Sequence, residues 1–146
     1  MTSELAFDHD FGPNFDQINY DMRDFVAGQY QENAPSEIRF KTWWTAFGTF
    51  CTQRPLDMLY MDQLTSTHMY PQVGSQPSMS FYMETRRILI KAQEEGLVKQ
   101  QNISLMNQFV RVAVTNVVKI NIAGGKTLTD EEIRWVVDAC WDGIKS

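Results

Sequence analysis

The chain has 146 residues, the usual size of one domain and enough to bury a hydrophobic core. An apolar share of 43 % argues against disorder as the default state of the whole chain, and 9 Phe, 5 Tyr, 4 Trp and 8 Met supply a core that is either well filled or leaves an adaptable apolar cavity. The net charge of −5 sits in residues 1–35, where seven acids face one base (Arg23); the remainder holds twelve bases and eleven acids, so no basic stripe is present and direct nucleic-acid binding is disfavoured.

Residues 1–13, ending at Gly12-Pro13, read as an acidic tail, and residues 14–146 as a single helical domain. From Phe15 the apolar positions Ile18, Met22, Phe25 and Val26 recur at helical spacing, which predicts a helix over about 14–31 with Asn14 as its N-cap. After Ala34-Pro35-Ser36 the aromatic positions Phe40, Trp43, Trp44, Phe47 and Phe50 mark a second helix, closed at Arg54-Pro55. Proline has no N–H to lose at a first helical position, so a third helix can begin there at once and run towards Ser66. Residues 70–77 form a loop with Pro71, Gly74 and Pro77, followed by a helix over about 78–95 that Gly96 ends with a left-handed residue.

The C-terminal pair is the clearest part. Helix 104–123 is apolar nearly all the way round and stops at Gly124-Gly125. The last helix starts at Thr129, whose hydroxyl can cap the N–H of Glu132 while the Glu132 side chain reaches back. A helix apolar nearly all round has to be covered on more than one side, although Arg111, Asn116 and Lys119 leave it some polar face. Either its own chain wraps it or a second copy does, and a two-fold four-helix bundle of these last two helices is the economical solution. Cys51 and Cys140 lie in apolar contexts without metal-ligand spacing and read as buried free thiols. No basic stretch followed by an apolar core opens the chain, and the apolar tract within 109–123 is broken by Arg111, Asn116, Lys119 and Asn121. A cytoplasmic protein without a membrane span is expected.

Residues 38–146 resemble the C-terminal domain of TetR/AcrR-type transcriptional regulators. The likeness is carried by FKTWWTAFGTFCTQRPLDMLYMDQL, an aromatic helix that ends at a proline and restarts, by STHMYP, by ILIKAQEEGLVK, and by the ending NIAGGKTLTDEEIRWVVDACWDGI. It implies an all-α, TetR-like bundle of about six helices with an effector cavity and a dimer formed by the last two. A counterpart of that family's helix-turn-helix is not expected within this sequence, because the 35 residues before Ser36 are acidic and bear one arginine; the chain is either a regulator-like protein without a reading head or a piece of a longer one. The resemblance therefore implies a dimerising, effector-binding regulator domain that does not itself touch DNA, as a homodimer or paired with a full-length TetR-type regulator. The other reading is a stand-alone binding protein for a small apolar ligand.

Catalytic chemistry has little support. His9 and His68 are the two histidines, and no Ser/His/Asp, Cys/His or phosphate-loop pattern occurs, so neither an enzyme nor a cofactor or metal site is expected. The resemblance implies a cavity lined by Trp43, Phe47, Phe50, Leu59, Tyr60, Gln63, Met83, Phe109 and Val110, with Gln63, Tyr60, His68, Tyr82 and Arg86 as its polar candidates. Each of these reads equally as an ordinary core or surface residue. At the implied dimer contact lie Val112, Asn116, Lys119, Ile120, Trp135, Ala139 and Asp142.

Overall fold

The computed structural model describes residues 2–65 and 76–146, and within them the side chains of residues 15–63 and 81–146. Six helices run through these residues: α1 (Thr2–Gln29), α2 (Ser36–Gln53), α3 (Pro55–Thr65), α4 (Gln76–Glu94), α5 (Ile103–Ala123) and α6 (Asp130–Ile144). Among the described residues the only β-type pairing is an isolated antiparallel bridge between Val98 and Lys145, so the fold is all-α as its periodicity predicts.

Helix α1 differs from expectation at its start. It runs from Thr2 through Gly12-Pro13 instead of beginning at Asn14, so no change of secondary structure marks an acidic tail ending at residue 13. Proline removes one N–H, and that loss alone does not end a helix whose turns on both sides are formed. In the sequence Phe7, Phe11 and Phe15 also repeat at four-residue steps, in phase with the stripe that follows. From Phe15 onward that stripe (Phe15, Ile18, Met22, Val26) is buried. Helix α4 begins two residues earlier than expected, with Pro77 in its first turn, where a missing N–H is harmless. Residues 66–75, which include most of the expected loop and His68, lie outside the described residues, as does the side chain of His9.

Helix α2 is the axis of the bundle. Phe40, Trp43, Trp44, Ala46, Phe47, Phe50 and Cys51 are all buried along it, on several faces at once. Phe40 packs on Trp141 of α6 at 5.1 Å between ring centroids, Trp43 on Phe81 of α4 at 5.0 Å, and Phe50 on Phe25 of α1 at 6.0 Å. Gly48 marks the tightest approach. A Cβ there would lie 2.8 Å from Cγ2 of Ile133 on α6 and 3.4 Å from Cγ1 of Val114 on α5.

The turns are held by the groups their sequences supply. At the α2–α3 break, Arg54 donates to Asp57 at 2.6 Å and to Asp21 of α1 at 2.9 Å, and its guanidinium lies over the Phe50 ring. Gly96 takes φ +74° after α4, and the Leu97 N–H returns to the Ala92 carbonyl. Asn102 caps α5 through the Leu105 N–H, and Thr129 and Glu132 form the complete capping box of α6. At the other end of α6, the Lys99 ammonium donates to the carbonyls of Gly143 and Lys145, where a cation suits the negative end of the helix dipole.

Two stability outcomes follow. Gly48→Ala gains roughly 0.5–1 kcal/mol of helix propensity but overfills the α2–α5–α6 contact, which costs about 1–3 kcal/mol, so urea unfolding should show a net loss of about 1–2 kcal/mol. The loss should shrink in an Ile133→Leu background, where the offending Cγ2 methyl is gone. Thr129→Ala removes the hydroxyl half of the capping box and should lower stability by about 1 kcal/mol in the same assay.

Candidate functional site

A cavity of about 260 Å³ opens between the first five helices. It is close to the lower end of ligand-pocket volumes, roughly 300–1,000 Å³. Its floor is aromatic and apolar: Phe15 and Met22 from α1, Trp44, Phe47, Phe50 and Cys51 from α2, Met58 and Met61 from α3, and Phe81 from α4. Helix α5 forms one wall with Asn107, Arg111 and Thr115, which follow at four-residue steps and so share a side of the helix. The exposed residues Tyr82, Arg111, Val112 and Asn116 form the rim.

The buried polar groups of this cavity fall into two kinds. Asn19 donates to the Phe15 carbonyl at 2.9 Å and Thr85 to the Tyr82 carbonyl at 2.6 Å, each satisfied on its own helix. Asn107 is different: it is 3 % exposed, lines the cavity, and its Oδ1 accepts no hydrogen bond. An orphaned buried acceptor is uncommon and asks for an explanation. Trp43 Nε1 is also without a partner, but it is packed between Tyr30 and Phe81 and does not line the cavity.

Charge at the rim is uneven. Asp62 is paired with Lys119 at 2.8 Å, whereas Arg111 makes no ion pair among the described residues. The Cys51 thiol, in the cavity floor, is pushed up to about 12 by burial; Arg111 pulls it down slightly and Asp62 adds a smaller upward push. Hydrogen bonding from Ser104 holds the Tyr82 hydroxyl below its ordinary range, and Ser104 in turn accepts from Arg86 at 2.7 Å.

Of the expected lining residues, Phe47, Phe50 and Tyr82 border the cavity. Trp43 and Val110 are buried but face other contacts, and Leu59 and Tyr60 are half-buried beside the core. Gln63 is exposed, as are Met83 (48 %) and Phe109 (52 %). Helical rotation of about 100° per residue turns Phe109 away from the side that holds Asn107 and Arg111. Arg86 is committed to Ser104 and the Tyr82 ring. Among the lining residues that aromatic pattern alone does not reveal are the buried polar ones, Asn19, Thr85 and Asn107. Their signal in the sequence is a polar residue set within an inward stripe, such as Asn107 beside Met106.

Of the residues expected at a dimer contact, all but Lys119 lie exposed on the last helix pair. Val112, Asn116 and Ile120 continue one stripe of α5 with Leu105 and Phe109, while Trp135, Ala139 and Asp142 share a stripe of α6. The large apolar members are strongly exposed, Ile120 at 68 % and Trp135 at 71 %. The two helices pack together where the Phe109 ring lies against Gly143. Val112 and Asn116 belong to this stripe and to the cavity rim together. Lys119 is turned to Asp62, and Asp142 pairs with Lys145.

No protein-family model matches the chain, and no curated protein matches it in sequence. Solved structures do match. A protein of unknown function from Rhodococcus sp. RHA1 superposes with a TM-score of 0.75 at 17 % identity, over 93 % of this chain and 73 % of that one. A TetR family transcription regulator from Marinobacter aquaeolei VT8 superposes with a TM-score of 0.75 at 17 % identity, over 90 % of this chain and 69 % of that one. Residues 36–146 alone would supply about three quarters of the chain, so both matches take in part of α1 as well. The chain therefore has a TetR-like fold in which α1 takes part.

Proposed function

We propose that this chain is a small-molecule-binding, dimerising module of a TetR-like regulator that does not itself touch DNA. The observation that carries the reading is the cavity of about 260 Å³ among the helices of a fold shared with a TetR family transcription regulator. Its aromatic floor suits a small apolar effector, with few polar groups to orient it.

The outer stripes of α5 and α6 support a homodimer. Leu105, Phe109, Val112, Ile120 and Trp135 are all more than half exposed, and large apolar side chains gathered on the outer stripes of two neighbouring helices suit a partner surface. A second copy covers it by a two-fold contact of the same stripes. The charge distribution supports the absence of DNA contact, since residues 1–35 are acidic and the rest is balanced. Pairing with a full-length regulator through the same stripes would leave a dimer with one reading head and weaken operator binding. Catalysis by the cavity thiol is disfavoured because Cys51 stays protonated at neutral pH. Among the described residues no helix is long and apolar enough to cross a membrane.

Native mass spectrometry of protein purified from its own host should give twice the 16.9 kDa chain mass with a retained small molecule. A monomer without ligand sinks the reading. A dimer that holds ligand, yet leaves operator binding by partner regulators unchanged, would favour a stand-alone binding protein. The double variant Ile120→Arg, Trp135→Glu puts charge into the apolar contact and should weaken dimerisation by about 100-fold in sedimentation while leaving helicity intact. Cys51 gives a pH outcome. Its folded-state value lies above the ordinary thiol value of 9.0, so the folded form holds its proton longer than the unfolded one. Its contribution to stability is complete below about pH 9 and declines as the pH rises towards 12. Cys51→Ala should flatten that alkaline decline, and native protein at pH 8 should resist thiol alkylation at this position.

A further inference from the structure

We infer that the cavity takes an organic anion whose apolar or aromatic body carries a hydrogen-bond donor, with the donor on Asn107 and a carboxylate at the rim on Arg111. This deepens the ligand-site reading above and rests on it. The first observation is the Asn107 side chain, 3 % exposed, bordering the cavity with an Oδ1 that accepts nothing. A buried amide in this state is unfavourable until a bound group pairs it, so a ligand with a hydroxyl or N–H gains from the site what a purely apolar one cannot.

The second observation is the charge around the mouth. Among the described residues, the titratable groups that border the cavity are Asp62, Arg111, Tyr82 and Cys51. Asp62 already holds Lys119 at 2.8 Å, and burial keeps the Cys51 thiol neutral. The Tyr82 hydroxyl lies 3.4 Å from Ser104. Arg111 makes no ion pair among the described residues, and its planar guanidinium is suited to a carboxylate. A cationic ligand would meet Arg111 and would have to displace Lys119 from Asp62.

The third observation is register. Asn107 and Arg111 are one four-residue step apart on the same wall, roughly 6 Å along the helix axis, and the length of the arginine side chain extends that span outward. Donor and anion therefore belong at opposite ends of the ligand, with the body between them against Trp44, Phe47 and Phe50. A para-hydroxyphenyl alkanoate has this layout.

The test titrates this chain with para-hydroxyphenylpropionate, phenylpropionate and the methyl ester of the hydroxy acid, read by calorimetry and by tryptophan fluorescence, to which Trp44 in the cavity floor contributes. The hydroxy acid should bind about fivefold more tightly than phenylpropionate and about tenfold more tightly than the ester. Asn107→Leu should erase the first ratio while keeping the second, and it should not unfold the protein, because it replaces an unpaired buried amide with an apolar side chain of similar size. Arg111→Gln, on an exposed residue, should erase the second ratio and keep the first. Equal binding of all three probes, or ratios untouched by both variants, overturns this inference and leaves the ligand-site reading standing. No binding by any probe overturns the inference. If native mass spectrometry also finds no retained molecule, the ligand-site reading falls with it.

Discussion

Helix α2 carries large aromatic side chains on several faces, and a helix of that kind has to be surrounded. Phe40 turns towards α6, Trp43 towards α4 and the end of α1, and Phe50 towards α1, while Gly48 lets α5 and α6 close in where no Cβ intervenes. Burying such rings is the largest favourable contribution available to a chain of this size. The places of α1, α4, α5 and α6 follow from covering them. The polar ties between helices, such as Arg54 with Asp21, Lys41 with Asp138 and Lys119 with Asp62, join side chains that are each at least a quarter exposed. Pairs of this kind contribute about 0–1 kcal/mol each, so they adjust register more than they hold the bundle.

The cavity is the counterpart of that packing. Flat rings on α2 and flexible methionines on α1 and α3 meet the side of α5 that carries Asn107, Arg111 and Thr115, and these polar residues do not fill the space between the helices. Helix α5 thus has three kinds of surface. Val110, Val114 and Val118 are sealed in the core, Asn107 and Arg111 face the cavity, and Leu105, Phe109 and Ile120 face outward. The outward stripe and the cavity rim share Val112 and Asn116.

That division corrects a simple view of an over-apolar helix. The near-continuous apolar character of α5 does not come from burial by its own chain on every side, because its large outward side chains are more than half exposed. The same helix also explains why aromatic pattern finds only part of the cavity. Phe109 looks like a lining residue by type, yet rotation puts it outside, whereas Asn107, two residues earlier, lines the cavity.

From residues alone came the helical class, the breaks at Pro55, Gly96 and Gly124-Gly125, the Thr129–Glu132 cap and the apolar stripes, because each depends on groups within a turn or two of one another. The start of α1 was not legible, since a proline that can end a helix can also be carried inside one. Tertiary structure alone decided which residues meet across helices. Helix phase and crossing separate Trp43 from Trp44 and Phe109 from Asn107, although each pair is close in sequence. It also left Asn107 unpaired and Arg111 without an ion pair among the described residues, because a side chain's partners depend on five helices meeting at one place.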